Sequence, residues 1–326
     1  MFRKMLVVFK DFMAFPKRKI FYLISFPCSY IALVALLCVK RKNEVFVLFN
    51  MALGDFIYSL SFWENLRKKY INKKIVFVVS DKFKPIIETL EIQPDRIIYL
   101  IHNSIKHMIV ECLCLPPKEI NVGDIAFKHD ILYALAFACK KAKKDKYSGN
   151  RKLLSKALEV EEKPITYPKI NNISITSILN FDKNKKRICI LNPYSTSMNF
   201  SIGLYENICQ NLLNRGYIVY TNIVGSQQEI KGSKPLQCSI YELYNIARKI
   251  PLIISIRSGI LDFIISSGIN MFVLYEINSS QEEQIANHYS LSEWGPHGKL
   301  EEIILTPNNE IDIISKLNSF LDTLGE

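Results

Sequence analysis

The chain has 326 residues, 49% of them hydrophobic and 22% charged. That composition buries sizeable cores, fits two domains and excludes a disordered chain. The net charge of +11 is concentrated at one end: residues 1–42 carry nine Lys and Arg against the single acid Asp11, a net +8, and the other 284 residues carry only +3. A uniformly basic nucleic-acid binder is excluded by that asymmetry, which describes a basic, apolar N-terminal device on a near-neutral body.

Ile20 to Val39 is an uncharged stretch between Lys17-Arg18-Lys19 and Lys40-Arg41-Lys42. It just reaches the roughly 20 residues that a bilayer crossing needs. No small-residue cleavage site follows it, which argues against a signal peptide. Pro27 interrupts it and its flanks are equally basic, so a spanning helix would have no preferred orientation. A monotopic segment over residues 1–42, resting on anionic headgroups at the cytoplasmic face of the membrane, fits best; a buried soluble helix is the alternative.

Glu44 to Phe49 reads as a strand, Asn50 to Asp55 as a turn and Phe56 to Tyr70 as one amphipathic helix with Ile57, Leu60, Trp63 and Leu66 at helical spacing. Ile75 to Val79 and Arg96 to Ile101 read as strands, with a short helix from Pro85 to Leu90 between them. Val110 to Leu115 is a further candidate strand, and Ile125 to Ala142 reads as a long helix running into Lys140, Lys141, Lys143, Lys144 and Lys146. Leu153 to Val160 reads as one more helix. This alternation predicts a doubly wound parallel sheet.

Glu161 to Asn184 loses apolar periodicity and marks the boundary between a domain at 43–168 and one at 169–326. The rhythm then restarts: strand Arg187 to Leu191, helix Leu204 to Arg215, strand Tyr217 to Val224, helix Ile240 to Lys249, strand Leu252 to Ile256. Arg257-Ser258-Gly259 follows at once and leads into a short apolar helix, then strand Met271 to Tyr275. Helix Gln281 to Tyr289, strand Ile303 to Leu305 and helix Ile311 to Leu324 close the chain. In a parallel sheet the turn after a strand's carboxyl end is where ligands sit, and an arginine, a hydroxyl and a glycine there fit a phosphate group.

Walker A, GxGxxG, HExxH and GxSxG patterns are all missing, which disfavours nucleotide hydrolysis, nicotinamide binding, zinc proteolysis and hydrolase chemistry. The eight cysteines form no CxxC pair and sit mostly in apolar runs, as core thiols of a reducing compartment do. Gly54-Asp55 opens the first helix, and a carboxylate there either caps the helix or serves as a general base toward an acceptor hydroxyl.

Asn50 to Leu60, with its Gly54-Asp55 turn, resembles the opening of heptosyltransferase-type (glycosyltransferase family 9) enzymes, and Asn192-Pro193 and Ser258-Gly259 resemble turns of their second half. The likeness runs over roughly residues 44–325, on short motifs. It implies a GT-B fold, two Rossmann-like domains facing a cleft. It also implies transfer of a sugar from a nucleotide-diphosphate donor to a glycan or lipid-linked acceptor, with no metal or other cofactor, in assembly of a surface polysaccharide such as lipopolysaccharide or capsule. By the resemblance Asp55 is the base beside Gly54, Ser258 and Gly259 hold the diphosphate, and Glu229 stands where an acid contacts the donor ribose. By the same resemblance Asn192 lies on the donor side, where Ser195 and Thr196 offer a phosphate hydroxyl and backbone N–H groups only. The family pattern has Asp before the Ser-Gly and His three residues after it; this chain has Arg257 and Asp262. Arg257 is thus expected to neutralise diphosphate and Asp262 to accept from a donor hydroxyl or cap backbone. The Arg-Ser-Gly turn is also similar to that of fucosyltransferase-like enzymes, which leaves the nucleotide open. His288 and His297 are loop residues with a smaller claim to the donor. Two rival readings are a soluble sugar-nucleotide epimerase or phosphorylase, and a non-catalytic membrane-bound assembly subunit.

Overall fold

The computed structural model describes residues 31, 34–49, 53–102, 104, 131–133, 155, 160–161, 187–195, 201–276, 290–305 and 310–325. The chain divides into two compact units, Met1–Pro164 and Ile165–Glu326.

Among the described residues the first unit is built on a four-stranded sheet of order β3-β2-β1-β4, with β1 Glu44–Leu48, β2 Lys74–Ser80, β3 Arg96–Leu100 and β4 Ile131–Tyr133. Every pairing in it is parallel. β1 is buried along its whole length, which is why from Val45 to Leu48 it reads as an unbroken apolar run rather than an alternating one. Helices α1 Leu53–Leu60, α2 Trp63–Lys69 and α3 Lys84–Thr89 flank it.

Two expectations change here. The single helix from Phe56 to Tyr70 is two helices, broken at Ser61-Phe62. Leu60 and Phe62 are both 3% exposed, yet residues two apart point roughly 200° from each other on a straight helix; only a break buries both. Residues 131–133, expected inside a long helix, form β4, with Phe46 opposite Ile131 and Leu48 opposite Tyr133. The run there is apolar on every side, a pattern that suits a buried strand as well as a helix. The candidate strand 110–115, the lysine run 140–146 and most of the 20–39 stretch lie outside the described residues. Among the described residues no helix is long and apolar enough to cross a membrane.

The second unit holds a six-stranded sheet of order β10-β9-β8-β5-β6-β7. Its strands are β5 Ile188–Asn192, β6 Ile218–Asn222, β7 Lys234–Leu236, β8 Leu252–Ile256, β9 Asn270–Glu276 and β10 Leu300–Leu305. All are parallel. Among the described residues its α-helices are α4 Ile202–Asn214, α5 Ile240–Ala247, α6 Gly259–Ile264 and α7 Glu310–Thr323. Leu204, Ile208 and Leu212 of α4 join Ile313, Leu317 and Leu321 of α7 in one core with Leu191, Ile254 and Phe272 of the strands. Phe263 of α6 packs edge-on to Tyr241 and Tyr244 of α5. β7, which is not evident from the sequence, is an edge strand containing Pro235, one of the few places a sheet accepts a residue with no N–H to donate.

Candidate functional site

The strand order of the second unit reverses between β5 and β8. From β5 the chain moves outward to β6 and β7, then returns across the sheet to add β8, β9 and β10 on the other side. In such sheets the crevice outside the carboxyl ends of the two strands at the reversal is the ligand position. The residues there are polar although the strands are not. Asn192 ends β5 and is 4% exposed; Asn222 ends β6 and is 4% exposed; Ser255 on β8 is 0% exposed. Asn192 Nδ2 donates to Ser255 Oγ at 2.9 Å and to Ser258 Oγ at 3.3 Å, and its Oδ1 accepts from Asn222 Nδ2 at 2.9 Å. The Ser255 hydroxyl faces the carbonyl oxygens of Asn192 and Ile256. Cys238 completes the row with a weak thiol contact to Asn222 Oδ1 at 3.9 Å; burial, helped by Glu242, pushes its thiol up to about 12. The result is an uncharged, mutually satisfied floor spanning three strand ends, with Ser258 at its rim.

The loops above that floor are tied to it. Tyr194 donates its hydroxyl to the carbonyl of Gln228, joining the loop after β5 to the loop after β6. Thr221 and Ser233 share a hydroxyl contact at 2.6 Å, and Ile230 N donates to Thr221 Oγ1. Ser195 is half-buried and Glu229 exposed on these loops. Thr196 and His288 lie outside the described residues.

Arg257 and Asp262 differ from expectation. Arg257 is 9% exposed and Asp262 3%. The guanidinium donates from Nη1 to Asp262 Oδ2 and from Nη2 to Asp262 Oδ1, and also from Nη1 to the carbonyl of Ser258 at 2.6 Å. Trp294 Nε1 donates to Asp262 Oδ1 at 3.0 Å. Asp262 is therefore turned inward as a counter-ion, not outward to a donor hydroxyl, and Arg257 clamps the turn that carries Ser258 rather than reaching a diphosphate. Burial alone would pull the Arg257 guanidinium down; the adjacent Asp262 carboxylate, with Tyr275 and Glu302 nearby, outweighs it and holds the charge firmly in place.

Beyond this pair, Glu302 of β10 accepts from the Tyr275 hydroxyl, from Ser290 Oγ and from the backbone N–H groups of Leu291 and Ser292. It fastens the segment that delivers Trp294. His297 lies beside Gly268, ahead of β9, at the opposite end of the strands from the crevice.

In the first unit Asp55 and Gly54 fall within the first turn of α1, directly after β1, so Gly54 is helical rather than part of a separate turn. β1 and β4 flank the order reversal of that sheet. Asn222, Ser255, Tyr194 and Trp294 were not singled out from the sequence. A polar residue closing a parallel strand, as Asn222 closes Ile-Val-Tyr-Thr-Asn of β6, is the signal that would have found the first; Ser255 sits one residue inside the end of Leu-Ile-Ile-Ser-Ile. Among the described residues no group of three or more His, Cys, Asp and Glu gathers as metal ligands would.

No protein-family model and no curated protein matches the chain. Solved structures do. The glycosyl transferase family 9 structure from Veillonella parvula is similar at a TM-score of 0.56 and 14% identity, over 87% of this chain and 97% of that one. The Escherichia coli ADP-heptose LPS heptosyltransferase II gives 0.54 and 11%, over 87% of this chain and 100% of that one. The iron-containing dodecameric glycosyltransferase TibC of enterotoxigenic E. coli gives 0.53 and 13%, over 88% and 77%. At these identities the likeness is one of fold: the chain has the fold of the heptosyltransferase-type, GT-B-like structures, each unit a Rossmann-like parallel sheet.

Proposed function

We propose that the protein is a glycosyltransferase that takes its sugar from a nucleotide-diphosphate donor bound at the carboxyl edge of the second unit. The observation that carries this reading is the convergence of Asn192, Asn222, Ser255 and Ser258 at the order reversal of a sheet shared with solved heptosyltransferases. Relatives in fold are described as binding ADP and ADP-heptose, which favours a nucleotide diphosphate over other anions for this chain.

In the proposed chemistry Ser258 and the backbone N–H groups that follow it receive the diphosphate, and Ser195 and Thr196 contribute hydroxyl donors. Their positive dipoles stabilise the charge that grows on the leaving diphosphate as the glycosidic bond breaks. Glu229 faces the donor ribose from its exposed loop. Arg257 acts from beneath: it fixes the Ser258 carbonyl, and through it the turn, so that the donors are oriented before the substrate arrives. Asp55 takes the proton from the acceptor hydroxyl. The acceptor is a glycan or lipid-linked glycan of a surface polysaccharide, and the transfer proceeds without a metal; transfer in the presence of EDTA tests that last point.

Calorimetric and thermal-shift titration with ADP-, GDP-, UDP- and CMP-sugars tests the reading. One nucleotide diphosphate class is expected to raise the melting temperature by several degrees at about a hundredfold excess over Kd. A chain that responds to none of them, nor to the free nucleotides, is not a transferase of this kind.

A further inference from the structure

One feature is unrelated to the donor site. Residue 31 and residues 34–39 are helical, and the helix is apolar where it meets water. Ile31 is 55% exposed, Val34 43% and Val39 53%, and Ala35 and Cys38 are exposed with them. At about 100° per residue these five positions fall within an arc of about 140°, one continuous face. Leu36, on the other side, is 6% exposed, so the helix has one side held by the protein and one open to water at Ile31, Val34, Ala35, Cys38 and Val39.

The helix ends in three cations. Lys40 N donates to the Leu36 carbonyl at 2.9 Å, continuing the last turn, and Arg41 and Lys42 follow, both exposed. No acid occurs from Ile31 to Asn43. The junction to the body is stiff: Arg41 N donates to Glu44 Oε2 at 2.9 Å, Glu44 N donates to the Arg41 carbonyl at 3.1 Å, and Arg96 Nη2 reaches the same carboxylate oxygen at 2.6 Å. The apolar face and its basic end are thus carried at a set angle on the amino end of β1.

We propose that this face docks on an anionic lipid surface, with Ile31, Val34, Ala35, Cys38 and Val39 entering the boundary between headgroups and acyl chains and Lys40, Arg41 and Lys42 lying among the phosphates. An apolar stripe bordered by cations and free of acids is the complement of that surface and of no neutral or basic one. The inference is independent of the sugar-transfer reading, since it uses none of the donor-site residues.

The test uses the full chain and vesicles of phosphatidylcholine with or without phosphatidylglycerol, with sedimentation as the readout. Binding is expected on the anionic vesicles and to weaken with salt. The variant K40Q/R41Q/K42Q should bind them ten- to about a hundredfold less well, following the contribution of each cation near a charged surface. V34S/V39S should lose binding that salt cannot restore. Both variants are checked for an unchanged melting temperature. Mass spectrometry of maleimide modification localises the contact: Cys38 is expected to react more slowly with anionic vesicles present and at an unchanged rate with neutral ones. Three results overturn the proposal. One is wild-type binding by both variants, which assigns the contact to another segment. Another is Cys38 labelling indifferent to lipid. The third is a lipid-free dimer that V34S/V39S dissociates, which makes the occupant a second copy of the chain. Nucleotide binding is measured on the same samples, so failure here and failure of the transferase reading are separable.

Discussion

Arg257 and Asp262 are joined by two parallel hydrogen bonds, 2.9 and 2.8 Å long, across the single turn that links β8 to α6. The pair is buried, and a third donor, Trp294 Nε1, completes the carboxylate. Breaking a buried pair leaves one charge uncompensated, whereas removing both charges removes both desolvation costs. Asp262→Ala is therefore expected to lower the stability of the second unit by about 3–5 kcal/mol, while Arg257→Met combined with Asp262→Leu recovers most of that loss. Urea unfolding of the single and double variants reads the coupling. Additive effects would mean that the pair does not act as a unit.

Asn192 uses both hydrogens of its amide toward Ser255 and Ser258 and its carbonyl toward Asn222. Asn192→Asp keeps the size, removes the two donors and places a negative charge beneath the proposed diphosphate. The expected result is nucleotide-diphosphate binding weakened by ten- to about a hundredfold, since a like charge near a buried anion site costs more than the lost hydrogen bond alone. Isothermal calorimetry measures it. Asn192→Ser, which restores neutrality without the reach, should fall between Asp and wild type; binding by Asn192→Asp equal to wild type would remove the anion from this floor.

The two-unit α/β rhythm was legible because parallel strands buried on both faces write themselves as apolar runs, as Val45 to Leu48 and Leu252 to Ile254 do. β4 was not, because a run that is apolar on all sides carries no period to choose strand over helix. The Ser258 turn was located from the sequence, but the destination of Arg257 was not. Whether a guanidinium beside a phosphate turn faces outward or inward depends on a carboxylate five residues later and an indole 37 residues later. Neither spacing has a helical or strand period that would bring the groups together on the page. Asn192 and Asn222 are 30 residues apart and meet only because β5 and β6 are neighbours.

The acid limb of stability is expected to run through Glu44 and Asp95. For each, burial alone would raise the carboxyl. For Glu44 the Arg41 N–H and the Arg96 guanidinium outweigh it; for Asp95 the Ile75 N–H and Arg67 do. Both carboxyls therefore sit below their ordinary values of 4.5 and 3.8. A group depressed in the folded state contributes its full stability above the unfolded value, and that contribution is lost as pH falls through the folded one. Unfolding free energy should thus be flat with respect to these groups near neutral pH and decline from about 4.5 downward. Glu44→Gln should flatten part of that decline in denaturation curves taken across the acid range. An unchanged pH slope would remove Glu44 from the account.

Gly298 stands where the chain enters β10. A Cβ there would lie 2.3 Å from the Ile269 carbonyl oxygen and 2.6 Å from that of Gly268. Both are backbone atoms, so neither can swing aside as a side chain does. The contact sits beside the first links between β9 and β10, Lys299 N to Asn270 Oδ1 at 2.9 Å and Met271 N to the Lys299 carbonyl at 2.8 Å. Gly298→Ala is expected to cost about 1–3 kcal/mol, as overpacking does. A melting curve with an unaltered midpoint would show that the strand entry shifts freely.

Asp55 lies in the first turn of α1, immediately beyond β1 and beside the order reversal of the first sheet. An acid in that turn also favours the helix electrostatically, by about 0.3–1 kcal/mol, so truncation to Ala confounds stability with chemistry. Asp55→Asn keeps the size of the side chain but cannot accept a proton at neutral pH. If Asp55 is the base, the variant should bind the donor with unchanged Kd, melt within a degree or two of wild type as the small helix term implies, and transfer sugar about 10²–10⁴-fold more slowly. A carboxylate base also gives wild-type kcat/KM an acid limb, falling as the base is protonated, and Asp55→Asn should erase that limb from the residual rate. Transfer by Asp55→Asn near the wild-type rate, with the acid limb intact, would return Asp55 to the role of a helix-terminal charge and leave the base to another residue of the first unit.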